Sequence, residues 1–176
     1  MPAQDFLIVE DGSGTPDANS YVSYADFKQY LTVYNYTDLL LLTEAQLVSA
    51  LLKGKDYVDT FSYKGVKTYS SQFLQFPRLE CFPTGEQLPL PFDSVPTKVK
   101  RAQMAAAIEE LKGVELLPTI SPSDFVKREK VGPIETEYSD ALKTGMSTPS
   151  FYSVDSLLKE YLTTRNSKYS FTTVRV

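Results

Sequence analysis

The sequence predicts a mainly α fold: a small bundle of three to four helices with a long ordered loop, a β-hairpin or extended arm, and a β-prone C-terminal tail. Three observations lead there. Apolar residues recur at helical spacing in several stretches, each with a start signal. Residues 61–94 follow no period and are dense in aromatics and prolines. Residues 125–138 alternate in the manner of paired strands. At 176 residues, with 42% hydrophobic and 23% charged side chains, the chain is long and apolar enough for one domain with a sizeable core. No apolar run approaches the roughly 20 residues of a membrane span.

Helix one is expected from a Ser23 N-cap to about Val33, with Phe27, Tyr30 and Leu31 on one face. Helix two opens at Thr43-Glu44-Ala45-Gln46, where Thr followed three residues later by Gln makes a capping box. Leu47, Val48, Leu51, Leu52, Tyr57 and Val58 give it a wide apolar stripe. Gly54 inside it costs about 1 kcal/mol against Ala, which close approach of a second helix would explain. Helix three runs between Pro96 and Gly113. Val99, Ala102, Met104, Ala106, Ile108 and Leu111 face inward, which makes it the central core helix. A short fourth helix is expected from a Ser153 cap, with Val154, Leu157, Leu158 and Tyr161 on one side.

Phe6-Leu7-Ile8-Val9 is β-prone and runs into the turn formers Glu10 to Asp17. A calcium-loop reading of this stretch fails, because Pro16 stands where such a loop needs glycine and Val22 where it needs a bidentate Glu. A satisfied surface turn is expected instead. The aromatics Phe61, Tyr63, Tyr69, Phe73, Phe76, Phe82 and Phe92 suit either a self-packed loop or base stacking. We read the segment as lacking the interleaved cations that nucleic-acid stacking uses, and so as core packing. In the hairpin, joined at Gly132-Pro133, Arg128 would pair with Glu137, Lys130 with Glu135 and Val131 with Ile134. Residues 139–150 read as a linker. The end, Tyr169 to Val176, reads as a strand that augments another chain's sheet or docks on its own domain.

Composition excludes much chemistry. With no histidine there is no Ser-His-Asp or Cys-His system and no HExxH zinc site. Cys81 is the only cysteine, which excludes an intrachain disulfide. The opening Met1-Pro2-Ala3-Gln4-Asp5 has no basic stretch before an apolar one, so no secretory signal is expected. Residues 1–60 hold nine acids against three lysines, a local −6 that leaves +2 for the rest of a chain totalling −4. That polarity is compatible with head-to-tail self-association or with ordinary solvated surface. It is not the footprint of a DNA binder, which clusters Lys and Arg. An enzyme built on carboxylates alone stays open, but composition favours a binding or structural protein.

Leu7-Ile8-Val9-Glu10-Asp11-Gly12-Ser13-Gly14 and Ala18-Asn19-Ser20-Tyr21-Val22-Ser23 open a resemblance. It continues through Gln75-Phe76-Pro77-Arg78, Val95-Pro96 and Val126-Lys127-Arg128-Glu129-Lys130-Val131-Gly132-Pro133-Ile134-Glu135. Over about residues 6–138 the chain resembles tailed-phage proteins described as DnaT-like ssDNA-binding, which are similar to head–tail connector adaptors. The resemblance implies a structural adaptor of the phage neck, with no catalytic residue, metal or cofactor: a homo-oligomeric ring, a dodecamer, beneath the portal protein. The ring joins capsid to tail and meets the next neck or tail protein. Genomic dsDNA passes through its channel without sequence-specific contact. It would reside in the virion, and in the bacterial host cytoplasm during assembly. The alternative is a single-stranded DNA-binding protein. On the adaptor reading, residues 1–138 form the helical domain and 139–176 a linker, short helix and docking tail. Lys127, Arg128, Lys130, Glu135 and Glu137 lie at a subunit contact or the channel. Tyr169, Phe171, Thr173, Val174 and Val176 bind the partner.

Overall fold

The computed structural model describes residues 1–118, 128–131, 134–137 and 150–163. Four helices carry the fold: α1 (Tyr24–Val33), α2 (Glu44–Asp59), α3 (Thr97–Leu111) and α4 (Tyr152–Leu158). The strands are short and form two antiparallel pairs, β1 (Val66–Lys67) with β2 (Arg78–Leu79) and β3 (Arg128–Val131) with β4 (Ile134–Glu137). The chain divides into two compact units: Met1–Leu116 with the chain from Phe151 onward, and Leu117–Ser150.

In the larger unit the helices start where their caps place them. The Ser23 hydroxyl accepts the Asp26 N–H at 3.1 Å and opens α1, which buries Phe27 and Leu31. Tyr30 is half-buried and stacks on Tyr34, with ring centroids 4.3 Å apart. The Thr43 hydroxyl accepts the Gln46 N–H, and the Gln46 side chain accepts the Thr43 N–H at 3.0 Å, so the capping box is complete. α3 packs along α2 and α4 and buries Val99, Ala102, Ala106 and Ile108. It is the central helix, and its run of alanines lets the neighbours approach. A Cβ on Gly54 would stand 2.7 Å from the Gln103 carbonyl oxygen.

One buried side chain of α3 is polar. Gln103 accepts the Tyr21 N–H at 2.8 Å and donates to the Ser20 hydroxyl at 2.8 Å and the Leu51 carbonyl at 2.9 Å. It ties the segment before α1 to α2.

Two expectations are corrected. α4 begins after Phe151, so Ser153 lies inside the helix and is not its cap. Phe151 sets the start by packing edge-on against Tyr57 at 5.4 Å, a tertiary contact that outweighs the local capping preference. Nor does the short helix stand away from the compact body: Val154, Leu158 and Tyr161 are buried in the main core. The units therefore divide differently from a 1–138 and 139–176 split.

In the smaller unit the hairpin register is the one the sequence predicts, with Arg128 opposite Glu137, Lys130 opposite Glu135 and Val131 opposite Ile134. This segment is a hairpin, not a single extended arm. Lys127 and the tail residues Tyr169, Phe171, Thr173, Val174 and Val176 lie outside the described residues.

Candidate nucleic-acid interface

The loop between α2 and α3 is anchored by its buried aromatics. Phe61, Tyr63 and Phe76 are buried, and Phe76 packs edge-on against Tyr63 at 4.8 Å and Tyr161 at 6.1 Å. Backbone bonds from Lys64 N–H to the Tyr161 carbonyl and from Thr84 N–H to the Glu160 carbonyl hold the loop to the turn after α4. The expected self-packed loop is thus present for part of the aromatic series.

The rest of the series faces outward. Phe73, Phe82 and Phe92 are exposed, and the Phe73 ring is the most open at 64%. Gln72 holds the Phe73 turn in shape. Its side chain accepts the Tyr69 N–H at 3.0 Å and donates to the carbonyls of Leu74 (2.9 Å) and Pro77 (3.0 Å). With its neighbour buried and fully bonded, Phe73 stands at the tip.

The expectation that cations are missing is also corrected. Lys64, Lys67 and Arg78 lie within the series, against Glu80 and Glu86. Arg78 is buried and works as a clamp. It donates to the carbonyls of Lys64 (2.7 Å), Gly65 (2.7 Å), Tyr63 (3.3 Å) and Gln75 (3.1 Å). Lys67 Nζ donates to the Phe73 carbonyl at 2.8 Å, and Lys64 Nζ to the Thr84 hydroxyl and the Glu160 carbonyl. Among the described residues none of these three is ion-paired with a carboxylate. Carbonyl dipoles orient them without cancelling their charge. A fourth cation comes from α2: Lys55 Nζ lies 5.6 Å from the Phe73 ring centroid and is paired with Asp56.

Asp59, one turn beyond Lys55 on α2, is held from the segment before α1. Its carboxylate accepts the Tyr21 hydroxyl at 2.6 Å, and the same hydroxyl accepts the N–H groups of Gln75 and Phe76. Burial pushes the Asp59 carboxyl up to about 6, against hydrogen bonding from Tyr21 and the charges of Lys55 and Lys67.

The Glu10–Gly14 turn buttresses this loop. Glu10 is buried, and one of its carboxylate oxygens accepts the N–H groups of Gly12 (2.8 Å) and Gly14 (2.9 Å). The two glycines pass under the Asp93 backbone and the Tyr69 ring, and a Cβ on either would come within about 2 Å of them. The expectation of a satisfied surface turn is corrected: the turn is packed against the loop, and the second carboxylate oxygen of Glu10 is buried without a hydrogen-bond partner among the described residues.

Among the described residues no three His, Cys, Asp or Glu side chains gather as metal ligands, and no helix is long and apolar enough to cross a membrane. The hairpin residues Arg128, Lys130, Glu135 and Glu137 belong to the separate Leu117–Ser150 unit. The surface at Phe73 offers an exposed aromatic ring beside Lys67, which is exposed and has no ion pair among the described residues, whereas Lys55 is buried and paired with Asp56. Sequence reading missed it because Lys55 reaches Phe73 only through the fold.

No curated protein and no solved structure matches the chain. One family model matches residues 6–176, so the likeness extends past Tyr138 to the last residue. By that match the chain belongs to the family described as "Putative DnaT-like ssDNA binding protein".

Proposed function

We propose that this protein binds single-stranded DNA through the surface around Phe73. The observation that carries the reading is the exposed Phe73 ring, flanked by Lys55 and by Lys67, whose ammonium groups converge on its ring and its carbonyl. A base stacks on the ring, and the adjoining phosphates meet Lys64 and Lys67, while Lys55, buried and paired with Asp56, backs the ring from inside. Stacking of this kind is worth about 1–3 kcal/mol per base and tolerates any sequence. Family membership supports the reading. The net charge of −4 opposes long-range attraction, so affinity rests on stacking more than on counterion release. No catalysis and no cofactor are involved. A titration of the full chain with a labelled single strand tests this. Two phosphate contacts at about −0.7 each predict a log–log salt slope near −1.4. No binding at low salt contradicts the reading.

A second reading, the neck adaptor, is favoured by two observations. The charged hairpin belongs to a unit of its own, and Val66, Leu79, Phe82 and Leu88 are exposed in one loop. Apolar side chains exposed in numbers mark protein contacts. On this reading the chain forms a ring under a portal in the virion neck, the hairpin lies at a subunit contact or the channel, and the tail binds the neighbour. Rings in negative-stain images, lost on deleting residues 126–138, support it. Deletion of residues 167–176 would leave a folded monomer that no longer joins the neck. A strictly monomeric chain that binds oligonucleotide excludes it.

A further inference from the structure

We propose that Phe82 and Lys64 form a second nucleotide subsite, so that one single strand stacks a base on Phe73 and another on Phe82 and runs along β1 between them. The inference rests on the DNA-binding reading and extends its footprint.

The two ends of β1 hold the same pair of groups. At one end Lys67 Nζ donates to the Phe73 carbonyl at 2.8 Å, beside the exposed Phe73 ring. At the other, Lys64 Nζ donates to the Thr84 hydroxyl at 2.7 Å and to the Glu160 carbonyl at 2.9 Å. Thr84 lies two residues from Phe82, whose ring is 46% exposed. Backbone contacts fix the Phe82 segment there. A Cβ on Gly65 would stand 2.1 Å from the Leu79 carbonyl oxygen and 2.8 Å from the Cys81 nitrogen, so residues 79–81 run in contact with Gly65. The Cys81 carbonyl accepts the Leu90 N–H and the Glu160 carbonyl accepts the Thr84 N–H, which holds the chain on both sides of Phe82. Lys64 and Lys67 are three residues apart, at most about 10 Å along the chain. Between them Val66 stands opposite Leu79 in the ladder, and both are exposed.

The charges select the occupant. Among the described residues neither lysine is ion-paired. Arg78, opposite Lys67 in the ladder, is buried and gives its donors to the carbonyls of Tyr63, Lys64, Gly65 and Gln75, not to a carboxylate. Glu80 and Glu86 are the acids of this stretch, and neither pairs with these cations. An apolar ribbon with a ring at each end and uncancelled cations along it fits the bases and phosphates of a single strand. An apolar peptide has no use for the cations.

The test is fluorescence anisotropy at low salt with the full chain and a labelled oligo-dT of about 20 nucleotides. Phe82→Leu keeps apolar bulk and removes the flat ring. It should bind roughly five- to 150-fold more weakly than the wild type, as one lost stack predicts, while Phe82→Tyr binds normally. Lys64→Gln should reduce the log–log salt slope by about 0.7, which serves if Phe82→Leu does not fold. A folded Phe82→Leu variant that binds as the wild type does, or an unchanged slope in Lys64→Gln, overturns the inference while leaving stacking on Phe73 intact. So does a Phe82→Leu variant that loses self-association alone, which would place Phe82 at a protein contact. No binding by the wild type at low salt overturns the DNA-binding reading, and this inference with it.

Discussion

The carbonyl oxygen of Gln103 lies 2.7 Å from the point where a Cβ on Gly54 would stand. α2 and α3 touch backbone to backbone there, and only the missing side chain permits it. Gly→Ala in a helix interior ordinarily gains about 1 kcal/mol. Here the sign should reverse. Gly54→Ala must push α3 away and is expected to cost about 1–3 kcal/mol. Urea denaturation should show a lower midpoint at unchanged slope. A stabilised variant contradicts the close packing.

That contact was legible in the sequence, as a glycine without local reason inside a strong helix. The Ser23 cap, the Thr43–Gln46 box and the hairpin register were legible too, because each depends on residues a few positions apart. What escaped depends on tertiary contact. Phe151, not Ser153, precedes α4 because a ring packs on Tyr57. Gln103 reads as a solvated position until its partners, Ser20 and Leu51, arrive from other elements. The meeting of Lys55 with Phe73 leaves no trace in local spacing, although Lys64, Lys67 and Arg78 within the loop were there to be read. The spacing of Glu10, Gly12 and Gly14 carried a signal of a carboxylate closing on its own loop amides.

Gln103→Leu should be among the costliest single changes in the core. It keeps the volume but strands the buried Tyr21 N–H and takes a bond from the Leu51 carbonyl, while the Ser20 hydroxyl keeps the Val22 carbonyl and N–H. Each buried group left unpaired costs about 1–3 kcal/mol. A melt unchanged within error would show that these groups find other partners.

Asp59 also links stability to pH. Its carboxyl is raised from 3.8 to about 6 by burial, so the native state holds this proton more tightly than the unfolded chain does. The stability it contributes is present in full below about pH 4 and is lost as pH rises through 6, by about 2–3 kcal/mol. Asp59→Asn lacks this loss. It should be the more stable protein at pH near 8, with the gap to wild type closing toward pH 4. Comparing the two proteins cancels the opposite trend of Asp11 and Glu160, whose pKa values are lowered. A gap that stays constant across this range contradicts the assignment.

The central claim is that Phe73 is a stacking platform, and the affinity of wild type and Phe73→Ala for the same single strand tests it most directly. The ring is exposed, so the variant should melt as the wild type does. Its affinity should fall by about 1–3 kcal/mol, roughly five- to 150-fold, while Leu88→Ala, at a still more exposed apolar position, binds normally. A wild type that does not bind at low salt, or a Phe73→Ala variant that binds as well as the wild type, would contradict the account.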